Sequence, residues 1–315
     1  MKARAAAAGC VLLLGACGGG VSGPVAPQPL GAVTLASVAT APDYELAAQR
    51  LYLAYLGRPA EPAGLAFFAG VLRQDGLPGD PGALLAAYGG DPRVRALLDS
   101  IEASAEAREL YPTADADRLD ALYRNLFNRD ADGPGKAWWS EALARGTLTR
   151  AQLPLALVAA ARGADPAVFD NKLALAAAFT AALDTPARAA AYQGVEATAM
   201  ARQMLAQVAA ATAPAAYAPL VDAVLAELAG AARFSQVQAI VRNRCVACHS
   251  VHPTMPGFSA APRGIRFDSA EQIRADAARI YYNVVQTEFM PYGNRTGMTG
   301  AERALVGAWY EAGAR

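Results

Sequence analysis

Cys245, Cys248 and His249 stand in the run CVACH, and residues of these types in this order have a specific chemistry. Two thiols three positions apart fall on one side of a helical turn, where both can add to the vinyl groups of one porphyrin. The histidine that follows directly presents a ring nitrogen to the iron. The spacing points to one covalent haem c, with Cys245 and Cys248 as attachment points and His249 as the proximal iron ligand. Two other chemistries also use a C-x-x-C pair. Half of a zinc site would need two more ligands, and the one further histidine, His252, reads as a loop residue. A thioredoxin-like pair would want a βαβ setting, and the pattern here is helical.

An iron held by His249 needs a sixth ligand or leaves an open position. Met290, 41 residues further on in FMPYGN, is the expected distal ligand. Met298 is a second possibility, and Met255 lies too close to His249 to cross to the opposite haem face. The N–H on the far side of the His249 ring needs a carbonyl acceptor. Pro262 lies 13 residues after His249, where a carbonyl accepts this N–H in c-type cytochromes, and that likeness makes it the expected acceptor, with Pro253 and Pro256 competing. Arg263, Arg266 and Arg279 are possible partners for the haem propionates.

Helices must position these groups. Ahead of the motif, Phe234, Val237, Ile240 and Val241 recur at helical spacing. After Met290, Thr299 and Glu302 form a capping-box pattern opening a closing helix that carries Leu305, Val306, Trp309 and Tyr310. The expected fold class is all-α.

The rest of the 315-residue chain bounds the function. Lys and Arg total 28, as do Asp and Glu, so formal charge is zero and a nucleic-acid partner has no electrostatic support. Residues 43–233 carry 17 basic and 22 acidic side chains, and residues 234–315 carry 9 and 6. Lys2 and Arg4 precede an apolar stretch, 5–16, too short to span a bilayer. It ends in Leu14-Gly15-Ala16-Cys17, which resembles the lipobox of bacterial lipoproteins and implies lipidation at Cys17. Gly18 in the next position favours the outer over the inner membrane. Residues 17–42, rich in Gly, Pro, Ala and Val, read as a flexible tether. The alanine-rich stretch 196–233 is interrupted by Arg202, Asp222, Glu227, Pro214 and Pro219, which argues for soluble helices rather than a membrane span.

Two segments match at an offset of 71 residues. LYLAYLGRPAEPAGLAFF begins at Leu51 and LYRNLFNRDADGPGKAWW at Leu122. Each reads as a helix, a Pro/Gly turn and a second helix, with an aromatic doublet expected to anchor the second on the first. This pattern resembles DUF4214, a small helical domain of secreted and surface-associated bacterial proteins, over roughly 45–190. The run DADGPGKAWWSE from Asp130 also has acids where a calcium loop has them, at Asp130, Asp132 and Glu141. Pro134 spoils the fifth position, so a structural turn capped by Asp130 or Asp132 is the expected reading.

CVACHSVHPTMPGF, GIRFDS and MPYGNRTGMTGAERALVGAWYEAGA resemble the cytochrome c domain fused to membrane-bound bacterial urate oxidases. The resemblance covers nearly all of 242–314. It implies a class I-like fold in which the closing helix packs across the N-terminal one. It implies the electron-accepting half without the multi-span catalytic domain. The expected layout is a signal peptide (1–16), a tether (17–42), a helical DUF4214-like region (43–232) and a cytochrome c domain (233–315). The expected function is single-electron transfer by a lipid-anchored monohaem c-type cytochrome on the periplasmic side of the bacterial envelope. Its redox partner is not readable from the sequence. The alternatives are a haem enzyme or gas-binding protein with a displaceable distal ligand, and a surface interaction module with an accessory cytochrome.

Overall fold

The computed structural model describes residues 43–315. The signal, Cys17 and the tether lie outside the described residues. Helices and no strand occur among them. In order they are α1 (Tyr44–Leu51), α2 (Pro62–Gln74), α3 (Pro81–Ala87), α4 (Pro92–Glu102), α5 (Ala105–Leu110), α6 (Asp115–Phe127), α7 (Gly133–Ala144) and α8 (Leu153–Ala160). There follow α9 (Asp165–Ala182), α10 (Pro186–Ala191), α11 (Gly194–Ala206), α12 (Tyr217–Arg244), α13 (Ala270–Ala275), α14 (Ala277–Tyr281) and α15 (Gly300–Glu311).

Sequence chemistry sets these boundaries. Asp43, Asp80, Asp91, Ser104, Asp132, Thr185, Ser269 and Thr299 each accept a backbone N–H at a helix start. Prolines open α2, α3 and α4, where a missing N–H costs nothing. α1 runs on as a π turn through Leu56, and Gly57 stops it at φ +62°. Seventy-one residues later Asn128 stops α6 at φ +57°.

The two 71-residue-offset segments share local geometry. Arg58 chelates Glu106 (Nε–Oε1 2.6 Å, Nη2–Oε2 2.8 Å) and lies over the Tyr52 ring at 5.0 Å. Arg129 chelates Asp165 (2.9 and 2.7 Å) and lies over Tyr123 at 4.9 Å. In each doublet only the second aromatic packs inward. Phe68 meets Tyr52 edge-on and Trp139 donates Nε1–H to the Tyr123 hydroxyl (3.2 Å). Phe67 and Trp138 are exposed, because consecutive helix positions point about 100° apart.

The buried apolar residues form two clusters. One draws on residues from Ala47 to Leu228 and the other on residues from Phe234 to Trp309. The expected boundary at 232/233 falls inside α12, which runs through it unbroken. Tyr217, Val221, Val224 and Leu228 make one stripe on this helix, and Phe234, Val237 and Val241 make another. Ile240 belongs to the second stripe as well, and at 100° per residue the mean directions of the two stripes differ by about 160°. By length and composition the helix 214–244 is apolar enough to cross a membrane. Eight of its large apolar residues, from Tyr217 to Val241, are buried in the two clusters, and Leu220 and Leu225 are partly buried against the first.

α15 closes the second cluster. Trp309 packs against Phe234 of α12 with ring centroids 5.7 Å apart. The Thr299/Glu302 capping box is formed in both directions.

Candidate cofactor site

The site begins where α12 ends. The Cys245 N–H still bonds to Val241 O, and the chain then tightens: the N–H groups of Cys248 and His249 both reach Cys245 O, at 3.1 and 2.9 Å. That single turn sets both sulfurs and the imidazole beside one cavity. Thr254 and Met255 return their N–H groups to Ala247 O, and Phe267 N–H bonds to His249 O. The turn is therefore held from inside and by the strand of chain that follows.

The cavity has a volume of about 880 Å³. Cys245, Cys248, His249 and Met290 all line it. Ile265, Phe267, Ile280, Val284, Phe258 and Phe289 supply apolar walls. Its size lies in the upper part of the range of ligand pockets, about 300–1,000 Å³. The His249 ring is oriented by Nδ1 donating to Ile265 O at 3.0 Å. That bond puts the ring proton on Nδ1 and leaves Nε2 as an acceptor, the arrangement in which an imidazole can bind a metal.

These residues fit a covalent porphyrin, and the state of the sulfurs is part of the test. Burial pushes the Cys245 thiol up to about 12 and also raises Cys248. Cys245 gains a further push from Cys248. Cys245, in apolar surroundings and with no disulfide to Cys248, is poorly placed as a thiolate. A thioether is neutral, so the same burial costs it nothing. Among the described residues no group of three or more His, Cys, Asp and Glu side chains gathers around a common point.

The acceptor for the His249 N–H differs from expectation. Pro262 begins a short turn, and its carbonyl takes the N–H of Ile265 (3.1 Å) within it. Arg263 and Gly264, at φ +56° and +70°, reverse the chain there. The reversal delivers the next carbonyl, that of Ile265, to the ring. Neither Pro253 nor Pro256 serves.

Arg263, Arg279, Arg244 and Arg295 border the cavity, and Arg266 does not. Arg244 is committed elsewhere, donating to Glu302 (3.0 Å) and to Thr296 O. Arg263, Arg279 and Arg295 are exposed, and Arg279 pairs with Asp276 at 3.4 Å. Arg295 sits in a loop with no periodicity, and only its place beside Tyr292 in the folded chain brings it here.

The three methionines separate by position. Met290 and Met255 line the cavity. Met298 is 4 % exposed and packs in the second apolar cluster. Asn294 holds its main chain on both sides, accepting from Met298 N and donating to Met298 O.

The three acids of the calcium-like loop have separate local uses. Asp130 pairs with Arg124, Asp132 caps α7 through Gly135 N–H (2.7 Å), and Glu141 pairs with Arg145.

Residues 98–162 match the family described as "Domain of unknown function (DUF4214)". The match takes in the second of the two offset segments and leaves the first outside. No curated protein and no solved structure matches the chain.

Proposed function

We propose that this chain is a monohaem c-type cytochrome that passes single electrons in the bacterial envelope. The observation that carries the reading is one cavity lined by Cys245, Cys248, His249 and Met290 together. Cys245 and Cys248 would attach the haem, and His249 and Met290 would ligate its iron. When bound, haem supplies a one-electron couple, and thioether ligation raises its potential.

The chain's own residues do the rest. The bond from His249 Nδ1 to Ile265 O holds the imidazole in one tautomer and raises its basicity. The apolar walls would exclude water from a bound haem, and exposed Arg263, Arg279 and Arg295 could pair with its propionates. With Met290 as a second protein ligand the haem would supply one-electron chemistry rather than oxygen or peroxide chemistry.

The division of buried residues at 228/234 supports a DUF4214-like region followed by a class I-like cytochrome domain. The paired arginine–carboxylate–tyrosine arrangements support reading 51–68 and 122–139 as two copies of one module. Lipidation at Cys17 would anchor the chain on the periplasmic side, with the outer membrane favoured.

Expression with export and haem-maturation machinery tests the reading. The wild type should keep its haem on a denaturing gel, and Cys245→Ala/Cys248→Ala should lose it. The ferric protein should show the weak far-red band of methionine-to-iron ligation, and Met290→Ala should abolish it. Rapid stoichiometric carbon monoxide binding by the reduced wild type would instead favour the gas-binding or enzymatic alternative. Cys17→Ser should move the protein from the membrane to the soluble periplasmic fraction.

A further inference from the structure

We infer that Arg303 is a positioning residue that holds Met290 at the cavity, an inference that rests on the ligation proposed above. Arg303 stands in the first turn of α15, and its side chain is only 12 % exposed. Its Nη1 donates to Met290 O at 2.8 Å and to Val284 O. The nearest carboxylate, Glu288, is 3.9 Å away and largely exposed. A mostly buried guanidinium is thus committed mainly to two backbone carbonyls. One of them belongs to the residue whose side chain lines the cavity.

The other side of Met290 is also tied. Its N–H bonds to Asn283 O at 2.9 Å, and Asn283 Nδ2 bonds in turn to Arg279 O. Residue 290 is therefore pinned through its N–H to the π turn Tyr282–Gln286 that continues α14, and through its carbonyl to α15. Between the two anchors the chain turns through Glu288 at φ +51°, so the segment depends on these bonds rather than on regular structure. Arg303 does not itself line the cavity. It acts on the methionine only through the backbone.

A methionine held this way resists displacement, and the inference is read from competition. Imidazole is titrated into the ferric holoprotein, with the far-red band followed in parallel. Arg303→Gln should bind imidazole about tenfold or more tightly than wild type and lose much of the band, since hydrogen bonds from a charged donor are the strong ones. Arg303→Lys keeps the charge on an arm one bond shorter than the one that carries Nη1 to both carbonyls, and should shift affinity less, in the same direction. Val306→Ala, a cavity elsewhere in α15, should lower the melting temperature without changing imidazole affinity. Wild-type affinity and band in Arg303→Gln overturn the inference and leave Met290 ligation standing. If Arg303→Gln does not fold, Arg303→Lys decides, and wild-type affinity there overturns it. A wild type that lacks the band, and whose affinity Met290→Ala leaves unchanged, removes the ligation and this inference with it.

Discussion

Lys172 offers the sharpest test of the helical region, because its charge sits where water does not reach. The side chain is 1 % exposed, and Nζ donates to Asn125 O at 2.6 Å and Arg124 O at 3.4 Å. Burial lowers its pKa from 10.5 to about 7. Between pH 7 and 10.5 the unfolded chain therefore binds more protons than the folded one. Stability must rise with pH across that window, and the penalty is fully present below it. One pKa unit corresponds to about 1.4 kcal/mol, so the gain from pH 7 to pH 9 is about 2 kcal/mol. The two carbonyls at the end of α6 favour the charged form, which makes that figure a ceiling. Lys172→Met removes the titration and leaves a buried carbonyl unpaired, costing about 1–3 kcal/mol at every pH. The slope is thus diagnostic and the intercept is not. Urea unfolding of both holoproteins from pH 7 to 9 should show the wild type gaining on Lys172→Met. Curves that stay parallel would refute the argument that this lysine is held against its own ionisation.

Three further outcomes follow from the packing. Glu106→Gln leaves Arg58 and Arg202 without the carboxylate they share and should cost about 3 kcal/mol in thermal or urea unfolding. Trp139→Ala should destabilise by about 3–5 kcal/mol, whereas exposed Trp138→Ala should stay within about 0.5 kcal/mol. Millimolar calcium should leave the melting temperature unchanged, since Asp130, Asp132 and Glu141 are engaged apart from one another. A calcium-dependent rise that Asp130→Asn abolishes would restore the metal loop.

Local features were legible in the sequence, and long-range pairings were not. The C-x-x-C-H turn, the Thr299/Glu302 box and the stop at Gly57 are written in adjacent residues, and each depends on a turn or less of backbone. The carbonyl facing His249 could not be read, because it is chosen by a reversal at Arg263, a residue type that seldom adopts positive φ. The partners of Arg58 and Arg129 lie 48 and 36 residues away, a distance over which sequence spacing carries no geometry. The role of Arg303 was hidden for the same reason: nothing in ERALV distinguishes a solvated arginine from one spent on carbonyls. The helical spacing of Phe234 to Val241 was legible, but that α12 continues unbroken back to Tyr217 was not, since its apolar residues change faces between Leu228 and Phe234.

That helix has a consequence for how the molecule comes apart. Its 28 residues span about 42 Å at 1.5 Å each. The rod is a structural beam shared by two tenants, with neither able to move out without loosening the other's wall. Melting the far end of α12 would disturb the turn that presents Cys245, although no residue there touches the cavity. Loss of the second cluster would in turn fray the beam back toward Leu228. Heat should therefore register the two halves as one cooperative event, and proteolysis should find no soft joint near residue 232.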